Sequence, residues 1–222
     1  LRQLEPSDIG SLMGISDKLA TLNHDRYAHW SAKFDDASGA RASLLAFKGD
    51  VYLGLDAQTL SKRDFTWAQK RLRVLSGLYG LLRPLDRIHP YRLEMGTALR
   101  NTAGKDLYEF WGGKVTQALN EALSGQRSKV LINLASNEYF KAVKPKSLDV
   151  EVITPRFCDL KNGQYKMISF FVKKARGVMA RYIIQKGLIE PEGLKRFKGD
   201  GYYYSPKHSE GNNWVFLRDA PP

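Results

Sequence analysis

The sequence predicts an α+β protein, a single compact domain over residues 1–222 in which a short sheet with hairpins is flanked by helices. Three observations carry this. Apolar residues recur at helical spacing in separate segments, among them Leu107, Phe110, Trp111, Val115 and Leu119. Two stretches instead set apolar runs around turn residues, at Asn162-Gly163 and at Gly211-Asn212-Asn213. No linker rich in Pro, Ser or Gly, no internal repeat and no low-complexity tract divides the chain.

In chain order, residues 1–34 read as two short helices, the first capped by Ser7 and the second by Asn23, with Tyr27, Trp30 and Phe34 turned inward. Ala40 to Phe47 continues helically, and Val51 to Leu55 is apolar enough to lie against a core. Ser61 and Asp64 form the S-x-x-D pattern of a helix start. Phe65, Ala68, Leu72 and Leu75 share one face of that helix, which is expected to stop at Ser76-Gly77. Asp106 caps a helix that runs to Gly125. Val130 to Ala135 is a short buried strand leading into a helix capped by Ser136 or Asn137. Val150 to Phe157 and Tyr165 to Phe171 form one hairpin, and the return strand flows into a helix striped by Ala175, Val178, Met179, Tyr182 and Ile183. A second hairpin pairs Gly201–Tyr204 with Trp214–Leu217.

Charge is the strongest compositional signal. Lys and Arg number 35 against 23 Asp and Glu, a net +12 that favours a polyanionic partner, either nucleic acid or an anionic membrane surface. At 43% hydrophobic and 26% charged residues the chain is neither disordered nor membrane-embedded. No apolar run approaches a bilayer span, and no signal peptide is visible. The single cysteine, Cys158, excludes an internal disulfide and fits a reducing cytosol.

The stretch 61–96 carries the sharpest functional signal. Gly77-Leu78-Tyr79-Gly80 between two expected helices has the h-G-h-G form of a helix-hairpin-helix turn, here over residues 61–88. Glycine lets backbone approach a ligand, and free N–H groups at a helix start favour phosphate. Arg71, Arg73, Arg83 and Arg87 stand beside that turn, and Lys173, Lys174, Arg176 and Arg181 form a second basic strip. The same glycines also read as a helix C-cap followed by an ordinary loop, and a charge run also reads as a solvated face.

Phosphate-binding, nucleophile-elbow and zinc-protease motifs are absent, and no metal or cofactor site is expected. For acid–base chemistry the candidates are Lys48, Asp50, Asp86, Glu94 and Glu138, with Tyr79, Tyr91 and Tyr139 as hydroxyl partners. They define an alternative: an enzyme whose basic cleft holds a small anionic or nucleotide substrate. Arg83, Arg92, Asn133 and Arg176 complete that set.

AFKGDVY at 46–52, LSGLYGLLRPLD at 75–86, PYRLEMG at 90–96, INLASNEYF at 132–140 and KKARGVMARY at 173–182 together resemble the bacterial YaaA family, in order and along essentially the whole chain. The resemblance implies a cytoplasmic protein of the hydrogen peroxide stress response that limits free intracellular iron and oxidative DNA damage. It also implies a family-specific fold, a positively charged cleft and DNA as partner, duplex or repair intermediate, bound without sequence preference. The helix-hairpin-helix role falls on Leu75 to Arg83. No membrane and no obligate protein partner are implied. Family members usually open with a strand carrying Ser-Pro-Ala-Lys, which this chain, starting at Leu1, does not show.

Overall fold

The computed structural model describes residues 1–35 and 37–220, and its architecture is α+β. Contacts gather into two compact units, each assembled from three stretches of chain: 1–46, 72–118 and 136–144 in the first, and 47–71, 119–135 and Pro145 onward in the second. Among the described residues, no helix is long and apolar enough to cross a membrane.

The first unit opens with helices α1 (Pro6–Met13) and α2 (Asp17–Ala28), which pack against each other. Glu5, not Ser7, precedes α1, and Glu5 N donates to Asp8 Oδ2 at 3.1 Å. Ser16, not Asn23, precedes α2. Asn23 lies buried inside that helix and donates from Nδ2 to the Leu19 carbonyl at 2.8 Å, so a side chain that reads as a cap satisfies itself one turn back. The expected helix at 40–47 is reduced to α3 (Ser43–Ala46), because Arg41 and Ala42 form strand β1.

In the second unit, α4 (Asp50–Leu55) and α5 (Lys62–Arg71) pack against a later helix. The α5 start is as expected: Ser61 N donates to Asp64 Oδ2 at 3.0 Å, and Asp64 N donates to Ser61 Oγ at 3.2 Å. Strands β2 (Val74–Ser76) and β3 (Gly80–Leu82) pair antiparallel in the first unit, and β4 (Arg87–Ile88) pairs with β1.

Asp106 caps α6 (Leu107–Trp111) through Glu109 N at 2.9 Å. The expected single helix breaks at Gly112-Gly113, where Gly112 takes φ 52°, and resumes as α7 (Lys114–Ser124). Strand β5 (Val130–Ile132) precedes α8 (Asn137–Phe140), whose cap is Ser136.

A five-stranded sheet organises the second unit. Its long strand β6 (Glu151–Lys161) turns at Asn162-Gly163 into β7 (Gln164–Lys166). Helix α9 (Ser169–Lys186) follows, then β8 (Tyr203–Tyr204) and β9 (Asn213–Arg218). Strand order is β5-β6-β9-β8, with β6 parallel to both of its neighbours and β7 antiparallel to the far end of β6. The predicted tail hairpin is present, with Tyr203 opposite Leu217. Phe157, Phe197, Tyr202 and Phe216 form the aromatic centre beneath the α9 stripe.

Within that core lies a buried ion pair. Arg218 Nε donates to Asp159 Oδ1 at 2.6 Å, and the Tyr202 hydroxyl reaches the same carboxylate at 3.0 Å. The guanidinium packs over the rings of Phe171 and Tyr202, 4.6 and 4.4 Å from their centroids.

Candidate nucleic-acid interface

The helix-hairpin-helix expected over 61–88 is a helix followed by a β-hairpin. Helix α5 ends at Arg71, and the chain straightens so that Val74 pairs with Leu82 and Ser76 with Gly80. Leu72 and Leu75 fit a helical stripe, but Val74 and Leu82 are both buried in the strand pairing, which local spacing does not register.

The glycines serve packing. A Cβ on Gly77 would sit 2.4 Å from the Leu93 carbonyl oxygen, and one on Gly80 would sit 2.7 Å from the Trp111 ring. Trp111 Nε1 donates to the Gly77 carbonyl at 3.0 Å, and Tyr79 N donates to Ser76 Oγ at 2.9 Å. Leu78 joins the cluster of Leu93, Met95 and Leu107. The Tyr79 hydroxyl accepts from Trp30 Nε1 at 2.9 Å and His89 N at 3.2 Å. With both glycines buried, the turn is not an open cradle of amides.

The hairpin's arginines are placed differently. Arg73 and Arg83 lie just outside the Val74–Leu82 pair, at the open end of the hairpin. Burial lowers the pKa of the Arg73 guanidinium, and the charge of Arg83 lowers it further. Arg83 is exposed and donates from Nε and Nη2 to Asp86 Oδ1 at 3.0 and 2.9 Å.

The Pro84–Asp86 turn is pinned from below. Ser43 Oγ donates to the Arg83 carbonyl at 2.8 Å, Ser43 N to the Asp86 carbonyl at 2.8 Å, and Leu44 N to the Pro84 carbonyl at 3.1 Å. Arg87, across from Ala42, donates from Nη2 to the Ala40 carbonyl at 2.6 Å. The exposed Arg41, opposite Ile88, adds a cation that sequence reading missed. Its only signal was a basic residue beside a small-residue loop.

Two of the four cations of the second predicted strip, Lys174 and Arg181, are built into the fold. Helices α4 and α9 cross so closely that a Cβ on Gly177 would lie 1.9 Å from the Val51 carbonyl oxygen, and one on Gly54 would lie 2.2 Å from that of Lys174. Arg181 Nη1 donates to the carbonyls of Leu55 and Asp56 at 3.0 and 2.8 Å, closing the end of α4, where Asp56 takes φ 46°. Lys174 Nζ lies 3.1 Å from Asp200 Oδ2. Arg176 is half-buried with its pKa lowered by burial, and Lys173 is exposed. Arg71 lies over the Trp67 ring at 5.0 Å, in the second unit with these residues.

The carboxylates of the enzyme alternative also hold structure together. Asp86 binds Arg83. Glu94 Oε1 accepts from Arg92 Nη2 at 2.9 Å. Glu138 Oε1 accepts from Gly96 N at 2.8 Å, and the Glu138 carbonyl accepts from the Tyr108 hydroxyl at 3.0 Å. Tyr139 stands near Glu94 and Glu138, and burial, reinforced by their charges, pushes it up to about 12. Asn133 Oδ1 accepts from Ala135 N at 3.1 Å. Lys48 and Asp50 flank Gly49, which precedes α4, in the second unit. Among the described residues, no group of three or more His, Cys, Asp or Glu is placed to hold a metal ion.

Fold and site together define an α+β protein with an arginine-bearing hairpin face. The family model described as "Peroxide stress protein YaaA" matches residues 1–208, so the chain belongs to that family.

Proposed function

We propose that this peroxide stress protein binds DNA without reading its sequence and shields it from oxidative damage, with the Arg73–Arg83 face of the hairpin as the main phosphate contact. The observation that carries this reading is the placement of Arg73 and Arg83 just beyond the last pair at the open end of β2–β3, close enough for the charge of Arg83 to act on Arg73. Two guanidiniums held near each other repel, and a phosphate between them would offset that repulsion. Arg41 and Arg87 extend the basic face, and the net charge of +12 favours any polyanion at long range. Lys173 and Arg176 are the α9 cations available to contribute. The alternative of a small anionic substrate draws less support, because Asp86, Glu94 and Glu138 each hold a hydrogen bond or ion pair within the fold.

The test is a duplex-binding series against salt. Each phosphate contact contributes about 0.9 to the slope of log affinity against log salt. Replacing Arg83 and Arg87 by alanine should flatten the slope by roughly 2. An unchanged slope and affinity would remove this face from the interface.

A further inference from the structure

Away from the hairpin, the end of the sheet that carries β7, β8 and the last residues of β9 gathers an oxygen-rich cluster. The Tyr165 hydroxyl donates to Asp219 Oδ1 at 2.5 Å, the Tyr203 hydroxyl donates to the same oxygen at 2.9 Å, and the two hydroxyls are 3.3 Å apart. Strand register explains the meeting. Tyr165 lies opposite Leu160 on β6, Tyr203 lies opposite Leu217 on β9, and Asp219 is two residues beyond Leu217 on the same side of that strand. His208 packs edge-on against Tyr165 with ring centroids 5.7 Å apart, its Nδ1 engaged by Ser205 Oγ at 2.8 Å. All five side chains belong to the second unit.

We propose that Tyr165, Tyr203 and Asp219 form a binding site for a hard trivalent cation, ferric iron being the fitting ion, with the imidazole of His208 as an adjacent nitrogen donor.

The spacing supports coordination. An octahedral ion with metal–oxygen distances of ~2.0 Å sets neighbouring ligands ~2.8 Å apart, and the three oxygens here span 2.5 to 3.3 Å. They therefore form one triangular face of such a shell.

The donor chemistry selects the ion. The three oxygens are hard donors, and an ordinary phenol keeps its proton up to about pH 10. Only a strongly polarising cation displaces such protons near neutral pH. Softer divalent ions favour imidazole and thiolate, and the hard divalent ions favour carboxylate, carbonyl and water. On binding, two phenolic protons pass to solvent per ion. Two phenolates and one carboxylate then balance the three positive charges, and no change of oxidation state is involved. The bond between Nδ1 of His208 and Ser205 is the kind of outer partner that fixes which ring nitrogen faces a metal.

The experiment titrates the purified full chain with ferric nitrilotriacetate and reads the visible charge-transfer absorption that phenolate gives on ferric iron. Gallium nitrilotriacetate serves as a redox-inert arm, read by the ultraviolet difference spectrum of ionised tyrosine. The expected result is saturation at one ion per chain, with two tyrosines ionised by gallium. Y165F and Y203F should each weaken binding by more than the ~10–100-fold that loss of an outer-shell partner costs, and D219N likewise. Because Asp219 is exposed, D219N tests the site without touching the core. Thermal unfolding of each metal-free variant confirms that it folds. Absence of a visible band at stoichiometric iron overturns the proposal. So does a band that survives in the folded Y165F/Y203F double variant, which would place the iron on other tyrosines. DNA binding is read separately and leaves this outcome unaffected.

Discussion

The β2–β3 hairpin and helix α9 carry similar runs of cations, and the fold treats them in opposite ways. On α9, Arg181 closes the end of α4 and Lys174 pairs with Asp200, so two of its four predicted contacts are bound into tertiary structure. On the hairpin, Arg83 reaches solvent with Asp86 as a local brace, and Arg73 is half-buried, its pKa lowered by burial and then by the charge of Arg83. A basic strip in sequence is therefore two kinds of object. One consists of long side chains recruited to satisfy helix ends and acidic neighbours. The other keeps a guanidinium, that of Arg83, at the exposed end of a hairpin.

The comparison is sharpened first where a cation is most deeply built in. Asp159→Ala would strand the Arg218 guanidinium in the core and should cost about 3–5 kcal/mol, read as a shift of the urea midpoint. A loss well below 1 kcal/mol would mean that the pair contributes little. Gly177→Ala drives a methyl into the Val51 carbonyl and should cost about 3 kcal/mol by the same measurement. Arg181→Ala should cost about 1–2 kcal/mol and leave the salt dependence of DNA binding as it was. If it flattened that dependence without lowering stability, the contrast between the two strips would fail. Arg83→Ala with Arg87→Ala should show the reverse pattern, a flattened salt slope with a stability change smaller than that of Asp159→Ala.

The smallest expected effect is alkaline. Tyr27 and Tyr139 are pushed up to about 12, in each case chiefly by burial. The folded state then holds protons that the unfolded chain releases near pH 10, so stability is full below pH 10 and falls as pH rises towards 12. Tyr139→Phe should make that fall shallower in unfolding curves taken across the interval. An identical fall would show that Tyr139 takes no part in it.

Local chemistry was legible in the sequence wherever partners are close along the chain. Ser61 with Asp64, the Asp106 cap, the Asn162-Gly163 turn and the α9 stripe all stand where the residues placed them. The hairpin was not legible. Leu72 and Leu75 satisfy a helical period, whereas the burial that selects a strand comes from Leu82, Leu93 and Trp111 farther along. The turn glycines likewise look ligand-ready until Leu93 and Trp111 fill the space beside them. The Asp159–Arg218 pair and the Tyr165–Asp219 bond join positions 59 and 54 residues apart, and no local pattern marks either one.

Strand order has a consequence for synthesis. β9 lies between β6 and β8, so the sheet has a gap at its middle until residues 213–218 have been made. At translation speeds of 5–20 residues per second, the roughly 50 residues separating β6 from β9 take about 3–10 s to emerge. Throughout that interval Phe157 has no Phe216 to stack on and the parallel edge of β6 stands open. A nascent chain of this protein is thus vulnerable to aggregation until residues 213–218 have emerged, and a stop codon before residue 213 would make that exposed state permanent.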